Sequence, residues 1–112
     1  MEENLVSVGH IADLGEEGYF VAKLPDGSEV IVLRAGGNLY AVQRRCPHEA
    51  APLERGQVWN KMIRCGQHGF AFELETGQGL NCTGYQIRCY TVEQKNDEIY
   101  LRVPVEKGVD HA

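Results

Sequence analysis

Short runs of β-branched and aromatic residues, separated by turn residues, dominate this chain. The runs read "YFVAKL", "EVIVLR", "LYAVQ", "MIRC", "FAFEL", "YQIRCYTVE" and "EIYLRV". "PDGS" and "AGGN" separate the first three runs, and residues of these types favour hairpin turns. No window keeps a 3.6-residue apolar period, and "HIADLGEEG" predicts one helical turn at most. The pattern therefore predicts an all-β fold, an antiparallel sandwich or a partly open barrel.

The stretch from Arg44 to Gly79 differs in composition from the sequence on either side. It contains two Cys/His pairs, the only tryptophan and two of the three phenylalanines. We interpret residues 44–79 as a subdomain inserted into a β base that residues 4–43 and 84–104 form. Since 112 residues are the size of one domain, we expect residues 1–112 to fold together, with 105–112 as a flexible tail.

The balance of charge narrows the range of partners. Sixteen acidic residues against eleven basic ones give a net charge of −5, which disfavours nucleic acid and anionic membranes as partners. No apolar run approaches the length of a membrane-spanning helix, and "MEENLVSVGH" has no signal-peptide pattern. We therefore expect a cytoplasmic protein with no membrane partner. Thiols stay reduced in that compartment, so Cys82 and Cys89 are expected to be reduced.

The two Cys/His pairs indicate a metal site. Two thiolates and two imidazoles suit either a tetrahedral zinc ion or an iron–sulfur cluster. No helix signal follows Cys65, which argues against a zinc finger, but a zinc site in a β loop stays an alternative. The other interpretation is a [2Fe–2S] cluster, with Cys46 and Cys65 on one iron and His48 and His68 on the other. This ligand set leaves the oxidised cluster neutral, so the cluster is easier to reduce than one held by four thiolates.

The flanks of the pairs carry a resemblance to a known family. "CPHEAAPLERG" and "CGQHGFAFELETG", with sixteen residues between His48 and Cys65, resemble the Rieske iron–sulfur pattern. They are most similar to the soluble ferredoxin components of bacterial aromatic-ring oxygenase systems, whether dioxygenases or multicomponent monooxygenases. The resemblance implies a Rieske fold with a cluster-binding subdomain of two loops and one [2Fe–2S] cluster per chain. The cofactor ligands that it implies are Cys46, His48, Cys65 and His68.

Departures from the family pattern predict a low reduction potential. Respiratory Rieske proteins carry a disulfide between the two loops, and the corresponding positions here are Ala51 and Gln67. Those proteins also place hydroxyl groups near the cluster, whereas this chain has Phe70 and Phe72. Fewer hydrogen bonds to the sulfurs stabilise the reduced cluster less, so the potential is expected at the low end of the Rieske range.

The resemblance implies a one-electron carrier between a flavin-dependent NAD(P)H reductase and a terminal oxygenase that hydroxylates aromatic or related hydrophobic compounds. The chain itself is expected to be non-catalytic, because only His10 and His111 remain for a second iron site. We expect a monomer that docks transiently through the loop tips around the histidines. The residues expected at that surface are Pro47, Ala50, Pro52 and Gln67.

Two other functions remain open from the sequence. The chain is also consistent with the small subunit of an assimilatory nitrite reductase, or with a zinc-stabilised β module that only binds another protein. Charged residues beside the proposed ligands either steer a docking partner or only solvate the surface; these residues are Arg44, Arg45, Glu49 and Arg64. Trp59 is expected to pack in the core or on a sheet.

Overall fold

The fold is built from short antiparallel strands. A computed structural model describes residues 3–47, 51–66, 69–82 and 84–104. The strands in this part of the chain are β1 (Glu3–His10), β2 (Tyr19–Lys23), β3 (Glu29–Ala35), β4 (Asn38–Gln43), β5 (Gln57–Trp59), β6 (Met62–Arg64), β7 (Ala71–Glu73), β8 (Cys89–Lys95) and β9 (Glu98–Pro104). Two 3₁₀ turns, Ile11–Leu14 and Leu53–Arg55, complete the described elements.

The strands form two sheets. The larger sheet has the order β1-β9-β8-β4-β3-β2 and curls into a half-barrel, and the smaller one has the order β5-β6-β7. Every strand pair in both sheets is antiparallel. The predicted all-β class and partly open barrel are therefore confirmed. None of the helices in the described residues is long and apolar enough to cross a membrane.

Two details of the strand prediction need correction. Strands β1 and β5 have no counterpart among the predicted runs. The run "YQIRCYTVE" enters the sheet only at Cys89, because the residues before it belong to a loop. In that loop the Ile87 N–H donates to the Gly77 carbonyl at 2.8 Å, so the backbone is bonded within the loop instead of along a strand.

The β3–β4 hairpin separates two apolar cores. Its side chains alternate in direction because successive residues of a strand point to opposite faces. One face contributes Val30, Val32 and Ala41 to a core inside the half-barrel. The opposite face contributes Ile31, Leu33, Tyr40 and Val42 to a core shared with the small sheet. Burial on both faces explains why "EVIVLR" reads as a continuous apolar run instead of an alternating one.

The small sheet lies between β4 and β8 in the sequence and packs on the second of these cores. Ile63 of β6 and Phe72 of β7 are almost completely buried there. Trp59 lies on the small sheet, in β5 opposite Met62, and at 43% exposure it is not a core residue. The expected domain bounds stay a prediction, and residues 105–112 lie outside the described residues.

Candidate metal centre

The first cysteine-bearing loop leaves the base at the end of β4. The Gln43 side chain bridges the two sides of this exit: its amide nitrogen donates to the Arg45 carbonyl at 2.6 Å. The Arg88 N–H donates to the Gln43 side-chain oxygen, also at 2.6 Å. Farther on, the Cys46 N–H donates to the Ala51 carbonyl at 2.9 Å. These bonds close the base of the loop, and Cys46 is only 2% exposed.

The second loop repeats this construction between β6 and β7. The Cys65 N–H donates to the Phe70 carbonyl at 2.7 Å, and the Gly69 N–H donates back to the Cys65 carbonyl at 3.1 Å. In each loop the cysteine N–H thus bonds to the carbonyl five residues later. Cys65 is 1% exposed. The loops that begin with "CPHEAAPLERG" and "CGQHGFAFELETG" therefore share this closing hydrogen bond.

The two loops come into direct contact where the first one ends. A β-carbon built at Gly56 would lie 1.7 Å from the Arg64 carbonyl oxygen, a distance that no side chain permits. On the other loop, a β-carbon built at Gly66 would lie 3.3 Å from the Arg55 carbonyl oxygen. Glycine at position 56 therefore lets the two backbones approach closely. Ala51, Pro52, Arg55 and Gly66 line a surface depression at this junction.

The donor atoms in the described residues fit half of the predicted ligand set. Cys46 and Cys65 belong to one apolar core cluster, and buried thiols at the heads of two adjoining loops are the soft ligands that suit an iron–sulfur cluster or zinc. His48 and His68 lie outside the described residues. In ranges 3–47, 51–66, 69–82 and 84–104, no three ligating side chains come together. The full ligand set therefore stays a prediction.

A network of ion pairs connects the two ends of the first loop. Arg44, which precedes Cys46 by two residues, donates to the Glu54 Oε2 from Nε at 2.9 Å and from Nη2 at 2.7 Å. Its Nη1 lies 3.2 Å from Oε2 of Glu29. Glu54 belongs to the 3₁₀ turn at the other end of the loop, and its side chain is 8% exposed. The network therefore links the two ends of the loop to β3.

Burial and charge act in opposite directions on Glu54. Desolvation favours the neutral acid, but the hydrogen bond from Arg44 and its positive charge outweigh it, so the pKa of Glu54 is lowered from its ordinary value. Reciprocally, the hydrogen bond to Glu54 raises the pKa of Arg44. Both groups therefore remain charged at neutral pH and form an ion pair.

A third loop covers the second one. The Asn81 side chain accepts a hydrogen bond from the Ala71 N–H at 2.9 Å and donates to the Gly69 carbonyl at 2.9 Å. Phe70 lies in the same region, with its ring centroid 5.5 Å from that of Tyr85. Sequence reasoning did not single out Asn81, Gly56 or the Arg44–Glu54 pair. The sequence signal that could have found this loop is the close spacing of Gly77, Gly79 and Gly84.

The remaining predicted residues have varied surroundings. Pro47 is exposed and Pro52 is half-buried, whereas Ala50 and Gln67 lie outside the described residues. All four cysteines are described, and none forms a disulfide. The expected reduced state of Cys82 and Cys89 is consistent with this. Burial, with the nearby charge of Glu73, raises the pKa of the Cys89 thiol.

Comparison with known protein families decides the nature of the site. The family profile of the Rieske [2Fe–2S] domain matches residues 4–91. The chain belongs to the Rieske [2Fe–2S] domain family. A Rieske domain carries one [2Fe–2S] cluster, the cofactor predicted from the sequence. The two buried cysteines at the heads of like loops fit such a cluster, and the alternative of a zinc-stabilised module loses its support.

Two relatives show how the Rieske domain is used in other proteins. The ferredoxin component of naphthalene 1,2-dioxygenase/salicylate 5-hydroxylase systems from Ralstonia sp is 29% identical over 105 residues, covering 92% of this chain and 99% of that protein. Such ferredoxin components carry electrons and are not catalysts. Human apoptosis-inducing factor 3 is 28% identical over 97 residues, or 86% of this chain. The chain spans only 16% of that larger protein.

Solved structures share the fold. A chain of the complex of reduced oxygenase and oxidised ferredoxin in carbazole 1,9a-dioxygenase is 26% identical, with a TM-score of 0.75 and coverage of 87% of this chain and 91% of that one. A nitrite reductase small subunit from Mycobacterium tuberculosis has a TM-score of 0.83 at 20% identity and covers 94% of this chain and 99% of that one. At that identity the second likeness shows the fold alone.

Proposed function

We propose that this Rieske chain is the ferredoxin component of a multicomponent oxygenase system. It accepts single electrons from a flavin-dependent NAD(P)H reductase and passes them to a terminal oxygenase that hydroxylates aromatic or related hydrophobic compounds. The observation that carries this proposal is the pair of buried cysteines, Cys46 and Cys65, at the heads of two like loops. The match to an oxygenase ferredoxin over nearly its full length supports the choice.

The proposed ligands fall into two pairs. Cys46 and Cys65 would hold one iron of the cluster, and the apolar core around these two buried thiols excludes water from them. His48 and His68 would hold the other iron. When bound, the cluster supplies one-electron chemistry at a moderate potential. The chain's own backbone bonds at the two loop bases hold the cysteines in position.

The proposed partners follow from the same relatives. A related fold occurs in a solved complex of an oxygenase with its ferredoxin, which supports docking of this chain on a terminal oxygenase. Release after each electron requires a small interface around the loop tips, and exposed Pro47 suits it. We further propose a monomer that works in the cytoplasm. A nitrite reductase role has only the shared fold in its favour.

The proposed potential lies at the low end of the Rieske range, which extends from about −150 to +300 mV. Phe72 is completely buried, and neither it nor Phe70 carries a hydroxyl group that could donate to a cluster sulfur. The reduced cluster is therefore stabilised less than in high-potential members. Protein-film voltammetry tests this, and a potential well above zero would contradict it.

The central experiment is to purify the chain aerobically and to measure iron, sulfide and visible absorbance. We expect a red-brown protein that bleaches on dithionite, with two irons and two sulfides per chain as the Rieske cluster requires. His68→Ala should lose the cluster or cripple it, whereas His10→Ala, which replaces an exposed histidine on β1, should keep it. A normal reduced-state EPR signal in His68→Ala would refute the ligand assignment.

The partner assignment needs a separate assay. Reduced chain is mixed with candidate terminal oxygenases, and single-turnover product is measured with and without the flavoprotein reductase and NADH or NADPH. We expect product only when an oxygenase of aromatic compounds is present. Equal electron delivery to a nitrite reductase catalytic subunit would favour the alternative function.

A further inference from the structure

Charge is unevenly distributed between the cluster-side segment and the rest of the chain. Residues 44–79, the cluster-binding subdomain, contain five basic and four acidic residues, a net charge of +1, whereas the rest contains six basic and twelve acidic residues, a net charge of −6. The basic residues of the subdomain are Arg44, Arg45, Arg55, Lys61 and Arg64, and the acidic ones are Glu49, Glu54, Glu73 and Glu75. The sign of the charge near the proposed cluster is thus opposite to that of the whole protein.

Two of these arginines are paired with carboxylates of the protein itself, although Arg45 is exposed. Arg44 is bonded to both Glu29 and Glu54, and Nε of Arg45 lies 3.4 Å from Oε1 of Glu29. Two carboxylates balance these two guanidinium groups, so Arg44 and Arg45 contribute less to the field outside the molecule than arginines without a carboxylate partner.

Arg55 and Arg64 are arranged differently. Both are exposed, and within the described ranges neither forms an ion pair. Both line a single depression that also contains Cys65, Gly66 and Gly69. The guanidinium of Arg64 lies against the second loop, since a β-carbon built at Gly69 would be 3.0 Å from its Nη2. Arg55 and Arg64 therefore place two positive charges beside the loop that bears Cys65.

We infer that Arg55 and Arg64 form a docking surface for a carboxylate-rich patch on the protein that exchanges electrons with this chain. This inference rests on the proposed function and adds the charge of the partner's surface. Charges farther away than the Debye length, about 10 Å at 0.1 M salt, are largely screened, so local arginines outweigh the distant acidic residues. Guanidinium groups also bind carboxylates bidentately. The net charge of −5 alone predicts the opposite, a basic partner surface.

Small charged oxidants distinguish the two predictions. Dithionite-reduced protein transfers one electron to ferricyanide, which becomes ferrocyanide, or to tris(phenanthroline)cobalt(III), which becomes cobalt(II). If the local arginines dominate, salt slows the reaction with the ferricyanide anion, by about 3-fold or more between low and physiological ionic strength. The cationic oxidant should show the opposite slope. A ferricyanide rate that rises with salt would overturn the inference while leaving the electron-carrier function intact.

Charge-reversed variants locate the effect. Arg55→Glu/Arg64→Glu should invert the salt dependence with ferricyanide. The matched control, Arg34→Glu/Lys95→Glu, makes the same change of net charge at exposed positions on β3 and β8 and should leave its sign unchanged. Glu49→Gln, at a position outside the described residues, should steepen the dependence. Equal effects of the two double variants would show that net charge governs the reaction.

A second readout is independent of electron transfer. Hexacyanochromate(III), a paramagnetic anion, should broaden the NMR signals of the Arg55 and Arg64 Nε–H groups before those of Arg34 or Arg88. Broadening of other signals first would overturn the inference, whether or not the chain holds a cluster. Absence of the cluster would be a separate result, and it would refute the proposed function. Co-sedimentation with phosphatidylserine vesicles that Arg55→Glu/Arg64→Glu abolishes would identify a membrane in place of an acidic protein and would also overturn it.

Discussion

The six-stranded base sheet and the three-stranded small sheet differ in strand length, and therefore in how much stability each has of its own. The base has six strands of five to eight residues, whereas each strand of the small sheet has three. Three-residue strands provide few ladder hydrogen bonds, and a small sheet has little stability of its own. The small sheet therefore depends on what surrounds it: the β3–β4 wall, the bonds across its loops and the cluster.

The dependence runs in one direction. Ile31 and Leu33 of the base form part of the core under the small sheet, but among the described residues the small sheet contributes none to the core inside the half-barrel. Loss of the base should therefore destroy the cluster side, whereas loss of the cluster side should leave the base folded. Regions that bind metal are often of low local stability without it, because the binding free energy is also folding free energy.

The largest expected effect comes from removing a proposed ligand. Cys65→Ala should abolish iron and sulfide binding, because a methyl group cannot replace a thiolate, yet far-UV circular dichroism should keep its β signal. Cys82→Ala is the matched control, since Cys82 is also a buried cysteine of the same core but is not a proposed ligand. If both variants lost iron equally, the cysteines would be acting through packing and not as ligands.

Two buried isoleucines test the one-way dependence. Ile63 in the small sheet and Ile99 in the half-barrel core are 1% and 0% exposed, and truncation to alanine should cost each about 2–5 kcal/mol. In Ile63→Ala, urea should remove the visible absorbance at a lower concentration than it removes the circular dichroism signal. In Ile99→Ala the two transitions should shift together. Coincident transitions in Ile63→Ala would mean that the two sheets unfold as a single unit.

Sequence reasoning found the base and the cysteines but not what joins the two loops. Apolar runs such as "EVIVLR" are long enough to reveal strands, and the Cys/His spacing revealed the loops. Strand β5 was missed because three residues, all of them exposed, give no periodicity. Gly56 and Asn81 were missed because their roles depend on backbone atoms far away in sequence. The Arg44–Glu54 pair spans ten residues across a loop, a separation that no helix or strand period predicts.

The Arg44–Glu54 ion pair provides the next test. Among the described residues, the base has no ion pair in which a carboxylate is buried to the same extent. Arg44→Met leaves Glu54 charged and largely buried, so it should cost about 1–3 kcal/mol, between the values for exposed and buried pairs. The double variant Arg44→Met/Glu54→Met should cost less than the sum of the single ones. Urea midpoints followed by cluster absorbance measure this. Strict additivity would show that the two side chains do not interact.

Acid should weaken the Arg44–Glu54 ion pair. The pKa of Glu54 is lowered in the folded protein from its ordinary value of 4.5. Ionised Glu54 therefore stabilises the fold fully when the pH is above 4.5. This contribution is lost as the pH falls through the lowered pKa. The difference in unfolding free energy between the natural chain and Glu54→Gln should therefore be largest at neutral pH and shrink below 4.5. A difference that stayed constant with pH would mean that the charge of Glu54 contributes nothing.

The smallest effect concerns the turns, where the two sheets can be compared directly. Both β3–β4 and β5–β6 are joined by two-residue turns with positive φ at both positions, the geometry of a type I′ turn. The base uses Gly36 and Gly37, with φ of 58° and 86°, whereas the small sheet uses Asn60 and Lys61, with φ of 54° and 65°. A lysine there costs about 1–2 kcal/mol of strain, and glycine loses about 0.5–1 kcal/mol in chain entropy. Lys61→Gly should thus stabilise the small sheet by up to about 1 kcal/mol, seen as a higher urea midpoint for cluster loss.

Two controls separate backbone strain from charge at this turn. Lys61→Gln removes the charge but keeps the strain, so it should leave the midpoint unchanged. Gly37→Lys introduces the same strain into the base and should lower the midpoints for cluster loss and circular dichroism together, because the small sheet depends on the β3–β4 wall. A gain in Lys61→Gln equal to that in Lys61→Gly would assign the effect to charge. If Gly37→Lys lowered only the urea midpoint for cluster loss and not that for circular dichroism, the expected dependence of the small sheet on the base would be contradicted.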